Sequence, residues 1–542
     1  MTKEVINKFF GIRRKGAIMA ISLVVALLLS ACKDKAPAVK PSGNVNSTQS
    51  TSSNDSSTEV SSVDPLDGTI TFEQTVSNTK ENTEILPKGN TANLNKPLKG
   101  YADNKAEKLR QEILNTGNTE EYYKITGTKY YVSSINGDDL NSGTSPDKAF
   151  KSIEGLATIE LKSGDAVLFE RGSVFRLYTT FLTSKGVTYG SYGTGEKPKI
   201  FGSAVNLTSV VWTPSVKKNV WQIDYVYAEC AGMFFNHGKE IGYKRVGLRN
   251  LKKNTDFYQD PATDILYLYS DKGNPSKVYE SIEFSTQMNI IGIPSGVDNV
   301  TIDNLCIKYG GIMGVSGTWN TDHINVTNCE IGYIGGGTTS NGTSRYGNAI
   351  QFWTGANDIV CDHNWIYQTW DTAISWQGYG GKEFTYTNIS FSDNLLEYNN
   401  GDFEYWDDGS LIKDFTMARN IMRFTSLGWG TREDDGGYRG IDGSFVGNTK
   451  RMKVDNIQIK DNIIDCPGRY IINWVIEPTR LDKEIFISGT EIYVNPSYRT
   501  TDIILRGFVS NDAQDDSVST DKAQIFEETL KRFDKNAILK WH

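Results

Sequence analysis

Histidine, cysteine and positive charge are all in short supply in this 542-residue sequence. It has only four His, no two of them close together, so we expect no histidine-based metal site or local histidine motif. Its 57 Lys and Arg are outnumbered by 65 Asp and Glu, which argues against a nucleic-acid binder because phosphate binding requires clustered positive charge. Aromatic residues (11%) and 51 glycines are plentiful, and this composition excludes wholesale disorder.

The N-terminus has an apolar run, but a short one. Residues 17–29 are mostly apolar and follow five basic residues. This run is too short for a membrane span, and together with the basic residues it predicts a signal peptide. The run ends in Leu29-Ser30-Ala31-Cys32, which resembles the lipobox of bacterial lipoproteins. The resemblance implies cleavage before Cys32, lipidation of that cysteine and a location on the extracellular face of the bacterial membrane. A plain signal peptide with an incidental cysteine is the alternative.

Cleavage before Cys32 would change both the charge and the cysteine count. It removes five basic and one acidic side chain, which takes the formal charge from −8 to −12. An acidic surface does not favour anionic polymers such as pectate or alginate, although a local basic groove could still bind them. The five other cysteines are an odd number, which excludes a complete set of intrachain disulfides, so we expect free thiols in the core. They are Cys230, Cys306, Cys329, Cys361 and Cys466.

Composition and pattern divide the chain into five parts. These are a signal peptide (1–31), a flexible Ser/Thr/Asn-rich tether (32–100), a lead-in (101–124) with a short helix predicted at 105–115, a β-rich domain (125–515), and a C-terminal helix (516–542) whose amphipathic part is 521–533.

The β-rich domain contains a spaced repeat. Six segments of alternating apolar residues end in Asn or another marker residue at positions 305, 329, 364, 394, 420 and 462. The intervals fit a coil of about 24 residues with insertions. One coil cannot bury its own apolar side, so stacking must supply the core. Side-chain amides can satisfy a bent backbone, so we expect four asparagines to stack at one turn: Asn364, Asn394, Asn420 and Asn462.

The start of this domain gives the fold a more specific form. Short β-rich runs separated by turn residues, such as Asn136-Gly137-Asp138-Asp139, resemble the entry of secreted parallel β-helix proteins that act on carbohydrates. The resemblance implies an all-β, right-handed parallel β-helix with inserted loops. A second predicted strand follows each marker by about ten residues. In such a fold the second strands of successive coils form a long face, and inserted loops beside it can form the walls of a groove.

Aromatic side chains concentrate where this groove is predicted. Seven of the 11 Trp lie between 353 and 474, and aromatic faces suit the CH-rich sides of sugar rings, although we expect about half of them to be structural. The predicted substrate-binding residues are Trp353, Trp376, Gln377, Trp406, Asp408, Trp429, Arg432, Asp434 and Tyr438.

Carboxylates cluster in the same stretch, and glycoside cleavage needs two of them. The segment 428–443, here called the acidic loop, lies in the longest insertion and has six glycines that let the backbone approach a ligand. Arg432 could hold an Asp of this loop ionised. A calcium-binding or solvated acidic turn is the alternative. A second group, near Asp407, lies one coil earlier, and there we expect Glu404 to face inward and pair with Arg432.

Asp435 and Asp442, seven positions apart and late in the β-helix, resemble the lacto-N-biosidase type of glycoside hydrolase over roughly 125–515. The resemblance implies release of Gal-β1,3-GlcNAc with retention of configuration. It further implies that Asp435 is the acid/base and Asp442 the nucleophile, although the substrate's acetamido group could act as nucleophile in place of Asp442. Asp407 and Asp414 share the spacing and form the second candidate pair. The resemblance further implies a helical partner that assists folding. No cofactor is required, and a structural Ca²⁺ is compatible with the acidic loop.

Two other functions remain open. A non-catalytic glycan-binding surface protein would have the same aromatic groove. A polysaccharide lyase would use Arg or Lys beside a uronate carboxyl group, which the acidic balance of the chain disfavours. The residues available for that role are Arg345, Lys382, Arg423, Arg432 and Arg439.

Overall fold

Three long sheets, each of ten strands, wind the chain into a stacked coil. The computed structural model describes residues 98–541, except 226, 339–344, 379–383, 407–409, 433–442, 449–452, 469, 476–481, 496–497, 499–502, 507–514, 519–526, 528–529 and 532–533. The predicted signal peptide, the lipidation site at Cys32 and nearly all of the tether therefore lie outside the described residues.

Neighbouring strands in these sheets are parallel, apart from the last pair of sheet C. Sheet A consists of β1 (Lys129–Val132), β2 (Ala166–Glu170), β5 (Thr188–Tyr192), β16 (Val300–Asp303), β19 (Ile324–Thr327), β22 (Ile359–Asp362), β25 (Thr385–Ser392), β28 (Leu411–Ala418), β31 (Lys453–Lys460) and β34 (Ile485–Ser488). Sheet B consists of β3 (Val174–Arg176), β6 (Lys199–Phe201), β17 (Cys306–Lys308), β20 (Glu330–Ile334), β23 (Trp365–Thr369), β26 (Leu395–Glu397), β29 (Ile421–Arg423), β32 (Ile463–Asp465), β35 (Glu491–Val494) and β38 (Ile538–Trp541). Sheet C consists of β4 (Phe181–Leu182), β15 (Ile291–Ile293), β18 (Val315–Gly317), β21 (Ile350–Trp353), β24 (Thr372–Gln377), β27 (Gly401–Trp406), β30 (Gly443–Asn448), β33 (Tyr470–Val475), β36 (Ile503–Arg506) and β37 (Asp515–Val518).

The predicted parallel β-helix is confirmed, and the strand register shows why it forms. In sheet A one apolar position pairs with the same position of the next coil through all seven strands from β16 to β34, so a continuous buried column runs along the axis. Its members are Val300, Ile324, Ile359, Ile389, Phe415, Ile457 and Ile485.

The predicted asparagine stack is also confirmed. The side-chain oxygen of Asn394 accepts a hydrogen bond from the backbone N–H of Asn364 at 2.9 Å, and Asn420 does the same for Asn394 at 3.0 Å. Each side-chain amide also donates to a carbonyl of the preceding coil, as Asn394 does to Cys361 at 2.8 Å. The residue before each ladder asparagine has positive φ, for example Asp393 at 56°, so the amides satisfy backbone groups that this left-handed bend takes out of the sheets.

The predicted lead-in helix is α1 (Asp103–Leu114), which lies on the outer side of sheet B. Its Ala106 and Ile113 pack with Ala102 against three outward residues of consecutive coils, Leu395, Ile421 and Ile463. Beside this contact the buried Arg423 guanidinium bridges carboxylates of the two adjacent coils and of the helix. These are Glu397, Asp465 and Asp103.

An inserted module that the sequence did not reveal occupies residues 205–286. It has sheet D, with β7 (Thr213–Pro214), β8 (Val220–Asp224), β11 (Tyr243–Lys244), β12 (Asp256–Asp260) and β13 (Ile265–Tyr269), and sheet E, with β9 (Cys230–Phe235), β10 (Glu240–Ile241) and β14 (Ile282–Thr286). A short helix, α2 (Pro275–Val278), precedes β14. The two sheets enclose their own apolar core, and Phe234 of sheet E packs against Tyr309 and Tyr333 of the coil.

The C-terminal prediction is wrong at its end. Ile538–Trp541 is not helical but is the last strand of sheet B, paired with β35. Within the predicted helix 521–533, only Glu527, Leu530 and Lys531 are described, and these three are helical. Leu530 is buried in the coil's core, and β38 after it extends sheet B.

All five described cysteines are buried free thiols, as predicted. Cys329 and Cys361 lie in the coil's core, where a small apolar side chain fits. In the part of the chain that the structure describes, no helix has both the length and the apolar character of a membrane span.

Substituting Asn394 tests the ladder. Asn394→Ala removes hydrogen bonds to Asn364, Asn420 and the Cys361 carbonyl, all of them buried, so we expect the free energy of unfolding to fall by about 3 kcal/mol. Chemical denaturation followed by circular dichroism measures this. Asn325→Ala, on the half-exposed side of sheet A, is the matched control and should change it by less than about 1 kcal/mol. Equal losses for the two variants would contradict the ladder's role.

Candidate functional site

The outer side of sheet C carries a row of polar side chains where three coils meet. Gln351, Ser375 and Glu404 are paired with one another across β21, β24 and β27 and alternate with core residues such as Ile374 and Phe403. We call these three residues the outer row. Glu404 therefore points away from the core, and the prediction that it faces inward is wrong, because it has the opposite strand phase from Phe403.

The outer row is tightly hydrogen-bonded although it is not part of the core. Ser375 Oγ donates to Glu404 Oε2 at 2.6 Å, and Gln377 Nε2 donates to the same oxygen at 2.5 Å. Asn348 Nδ2 donates to Gln351 Oε1 at 2.5 Å, while the buried Gln351 Nε2 has no acceptor among the described residues. The donors fix Glu404 on a rigid strand, so a carboxylate is held in a sheltered polar setting on the predicted groove face.

Two predicted substrate-binding tryptophans are buried instead. Trp376 has the phase of Ile374, lies in the core and packs 5.5 Å from the ring of Phe352. Trp429 lies between Trp370, at 5.2 Å, and Phe234 of the module, at 5.1 Å. Both are at most 1% exposed, so neither offers a face to a sugar. The prediction failed because a tryptophan-rich strand does not reveal which residues face inward.

The other predicted residues divide between the groove face and segments outside the described residues. Trp353 and Gln377 are paired on the outer side of sheet C, next to the outer row, and both are mostly buried. The backbone of Trp406 continues this second row. The remaining predicted residues lie outside the described part of the chain: Asp407, Asp408, Asp434, Asp435, Tyr438 and Asp442.

Arg432, in the first part of the acidic loop, joins the coil to the inserted module. We call it the first anchor of the loop. Its guanidinium donates to the carbonyl oxygens of Ile241 and Gly242 at 2.9 and 2.6 Å and lies 4.0 Å from the ring centroid of Tyr243. Arg432 is 6% exposed, so these contacts are made away from bulk water. Arg432, which was predicted to pair with Glu404, thus binds residues 241–243 of the module instead.

The acidic loop ends at Gly443, the first residue of β30, and we call this residue the loop's second anchor. It lies beside a buried carboxyl group. Asp402 accepts a hydrogen bond from Thr425 Oγ1 at 2.5 Å, and Thr425 lies 3.3 Å from Ser444, the residue after Gly443. Complete burial raises the pKa of Asp402 to about 8, even though hydrogen bonds from Thr425, Asn399 and Ser444 act in the opposite direction. With this pKa the Asp402 carboxyl group is mostly protonated at neutral pH, and its hydrogen bonds link β27 to Thr425 and to the start of β30.

A charged cluster between module and coil was also missed. Glu229 of the module pairs with Lys244 and accepts from the N–H of Thr338 at 2.6 Å, while Arg345 lies 3.5 Å from the ring centroid of Trp370. Burial lowers the pKa of Lys244, and the nearby Arg345 lowers it further. The contacts that join the module to the coil here link residues far apart in sequence, Glu229 with Thr338 (109 positions) and Arg345 with Ala231 (114 positions), so no local sequence signal could have found the cluster.

Among the residues that the structure describes, no three His, Cys, Asp or Glu side chains cluster to hold a metal ion. The predicted calcium-compatible site lies in the acidic loop and stays a prediction.

Comparisons with known proteins agree with a carbohydrate-acting fold. No protein-family model matches the chain. One curated relative, the lacto-N-biosidase of Bifidobacterium longum subsp. longum, is 28% identical over 201 residues, which is 34% of this chain and 12% of that enzyme. The chain thus spans about an eighth of the length of the curated relative it matches. At this coarse level, the matched third of the chain is related to a glycoside hydrolase.

Several solved structures resemble this chain in fold at low sequence identity. The GH136 lacto-N-biosidase from Eubacterium ramulus is 17% identical with a TM-score of 0.38, covering 72% of this chain and 58% of that one. XylC in complex with xylose is 11% identical (TM-score 0.38, 76% and 83% covered), and pectate lyase Pel9A is 10% identical (0.35, 71% and 72%). At such identities and TM-scores, these likenesses carry no information about the chemistry of this chain.

Asp402→Asn tests the protonated carboxyl at the second anchor. A carboxyl whose folded pKa is raised stabilises the fold fully below its unfolded pKa, near 3.8, and loses this contribution as pH rises towards about 8. Asn does not titrate, so the stability of the parent protein relative to the variant should fall over this interval by up to about 1.4 kcal/mol per pH unit. Urea denaturation of both proteins between pH 4.5 and 8 measures it. A pH-independent difference would show that Asp402 is ionised.

Proposed function

We propose that this chain is a cell-surface glycoside hydrolase that releases Gal-β1,3-GlcNAc, or a similar disaccharide, from oligosaccharides. The observation that carries the proposal is the 28% identity to a lacto-N-biosidase over 201 residues. The sheltered polar face of sheet C supports it, because the outer row offers hydrogen-bonding groups suited to sugar hydroxyls on a rigid surface.

The proposed mechanism uses two carboxyl groups of the acidic loop. Asp435 protonates the departing glycosidic oxygen as the C1–O bond breaks, and Asp442, or the substrate's own acetamido oxygen, forms a bond to C1. Asp435, now a carboxylate, then takes a proton from water as the water attacks C1 and the bond from C1 to Asp442, or to the acetamido oxygen, breaks. This frees the disaccharide, and two inversions leave the overall configuration retained. Asp407 with Asp414 is the second candidate pair.

The described arginines do not favour lyase chemistry. A lyase needs a side chain that can take a proton, but Arg423 is enclosed by Glu397, Asp465 and Asp103. Burial alone would lower its pKa, yet these carboxylates raise it above the usual value. Arg345 and Arg432 donate to backbone carbonyls of the module. None of the three is placed to act as a base.

The cellular setting belongs to the same proposal. A lipid on Cys32 would hold the enzyme on the extracellular face of the bacterial membrane, with the Ser/Thr/Asn-rich segment 32–100 as a flexible tether. A separate helical protein would assist folding of the β-helix, and the acidic loop could hold a structural Ca²⁺.

Product analysis tests the activity and its residues together. Incubation with lacto-N-tetraose should yield lacto-N-biose and lactose, and both Asp435→Asn and Asp442→Asn should lower kcat at least 10³-fold with an unchanged melting temperature. If the acetamido group is the nucleophile, only Asp435→Asn will have an effect of this size.

Asp455→Asn, which changes a half-exposed carboxylate on β31, is the matched control and should retain full activity. An unsaturated, ultraviolet-absorbing product from pectate or alginate would instead establish lyase chemistry. Glycan binding without turnover of any sugar tested would show a binding protein.

A further inference from the structure

The outer side of sheet D carries two tyrosines whose rings are nearly parallel. Tyr258 and Tyr267 are direct cross-strand partners, with ring centroids 6.1 Å apart and planes inclined by only 10°. The same row continues through Gln222 on β8 to Thr213 on β7. Four adjacent strands thus present aromatic, amide and hydroxyl groups in one line across the sheet.

This row is not needed for the core of the module. Tyr258, Tyr267 and Gln222 are half-buried, whereas their strand neighbours Leu266 and Leu268 are fully buried between sheets D and E. Alternation along the strands therefore places the tyrosines on the solvent side. A half-exposed pair of flat rings with polar neighbours offers both a stacking surface and hydrogen-bonding partners.

The charges around the row favour a neutral ligand. The adjacent cross-strand row contains Asp260 and Asp224 on either side of Ile265, and Asp224 is exposed. Carboxylates at this position repel uronate or sulfated polymers but can accept hydrogen bonds from sugar hydroxyls.

The row is also continuous with the candidate catalytic region. At the other edge of sheet D, Tyr243 is paired with Asp256, on the same side as Tyr258. The Tyr243 ring lies 5.1 Å from the Arg245 guanidinium and 4.0 Å from that of Arg432, the first anchor of the acidic loop. One face of the module therefore leads from solvent to the start of the acidic loop.

We propose that the Tyr258–Tyr267 face of the inserted module binds a neutral glycan chain, stacking pyranose rings on the two tyrosines and hydrogen-bonding them through Gln222 and Asp260. This is a second carbohydrate site, beyond the proposed cleavage site.

Affinity electrophoresis at 4 °C tests the site without depending on hydrolysis. The full chain should be retarded in gels containing desialylated mucin, which is rich in neutral galactose and N-acetylhexosamine, and not in gels containing polygalacturonate. Tyr258→Thr/Tyr267→Thr keeps β-forming residues on a solvent-facing row and should weaken retardation at least tenfold. Tyr122→Thr, at a tyrosine 59% exposed outside the module, is the matched control and should behave as the parent protein.

Several results would overturn the proposal. One is equal retardation of the double variant and the parent, and another is no retardation of the parent by desialylated mucin, xylan or galactan. A third is a dimer of the parent protein in sedimentation that is absent in the double variant, because the face would then be a self-association surface. If the double variant does not fold, each single variant replaces it in the same assay. Loss of mucin binding with unchanged cleavage of lacto-N-tetraose would separate this site from the proposed hydrolase site.

Discussion

The bend between sheets A and B is the constraint on which the rest of the structure depends. In each of the four coils of the asparagine ladder one residue adopts a left-handed conformation, at an energetic cost, and the asparagine after it satisfies backbone groups that the bend exposes. Because each amide bonds to the coils on both sides, every bend is held at the same angular position. That alignment keeps the apolar columns in register along the whole stack.

Fixed register also determines what the groove face can present. Once Ile374 and Phe403 point into the coil, Ser375 and Glu404 must point out and lie next to each other, although they are 29 residues apart. Loops can then vary in length between coils without moving these side chains. Rigid strands thus position the polar groups of sheet C, and the acidic loop is attached to the same framework at Gly443.

The sequence was informative where the structure repeats and silent where it does not. Marker spacing predicted the coil, and the asparagines predicted the ladder, because both recur at one position per coil. The phase of individual strands was not readable, so Trp376 and Trp429 were taken for ligand-facing residues although both are buried. The inserted module does not share the repeat of the coil, so the marker spacing did not predict it. Its contacts, such as that of Arg432 with Tyr243, join residues almost 190 positions apart, and the last strand at Ile538 followed a predicted helix.

The way the coil continues across the inserted module has an evolutionary consequence. Strands β5 and β6 precede the module, yet they pair directly with β16 and β17 after it, as if the intervening 100 or so residues were absent. A segment that leaves and rejoins the stack between adjacent coils can be acquired, lost or exchanged without shifting the register of the core. Related chains could therefore diversify in what they recognise by swapping this module while the ancestral solenoid stays unchanged.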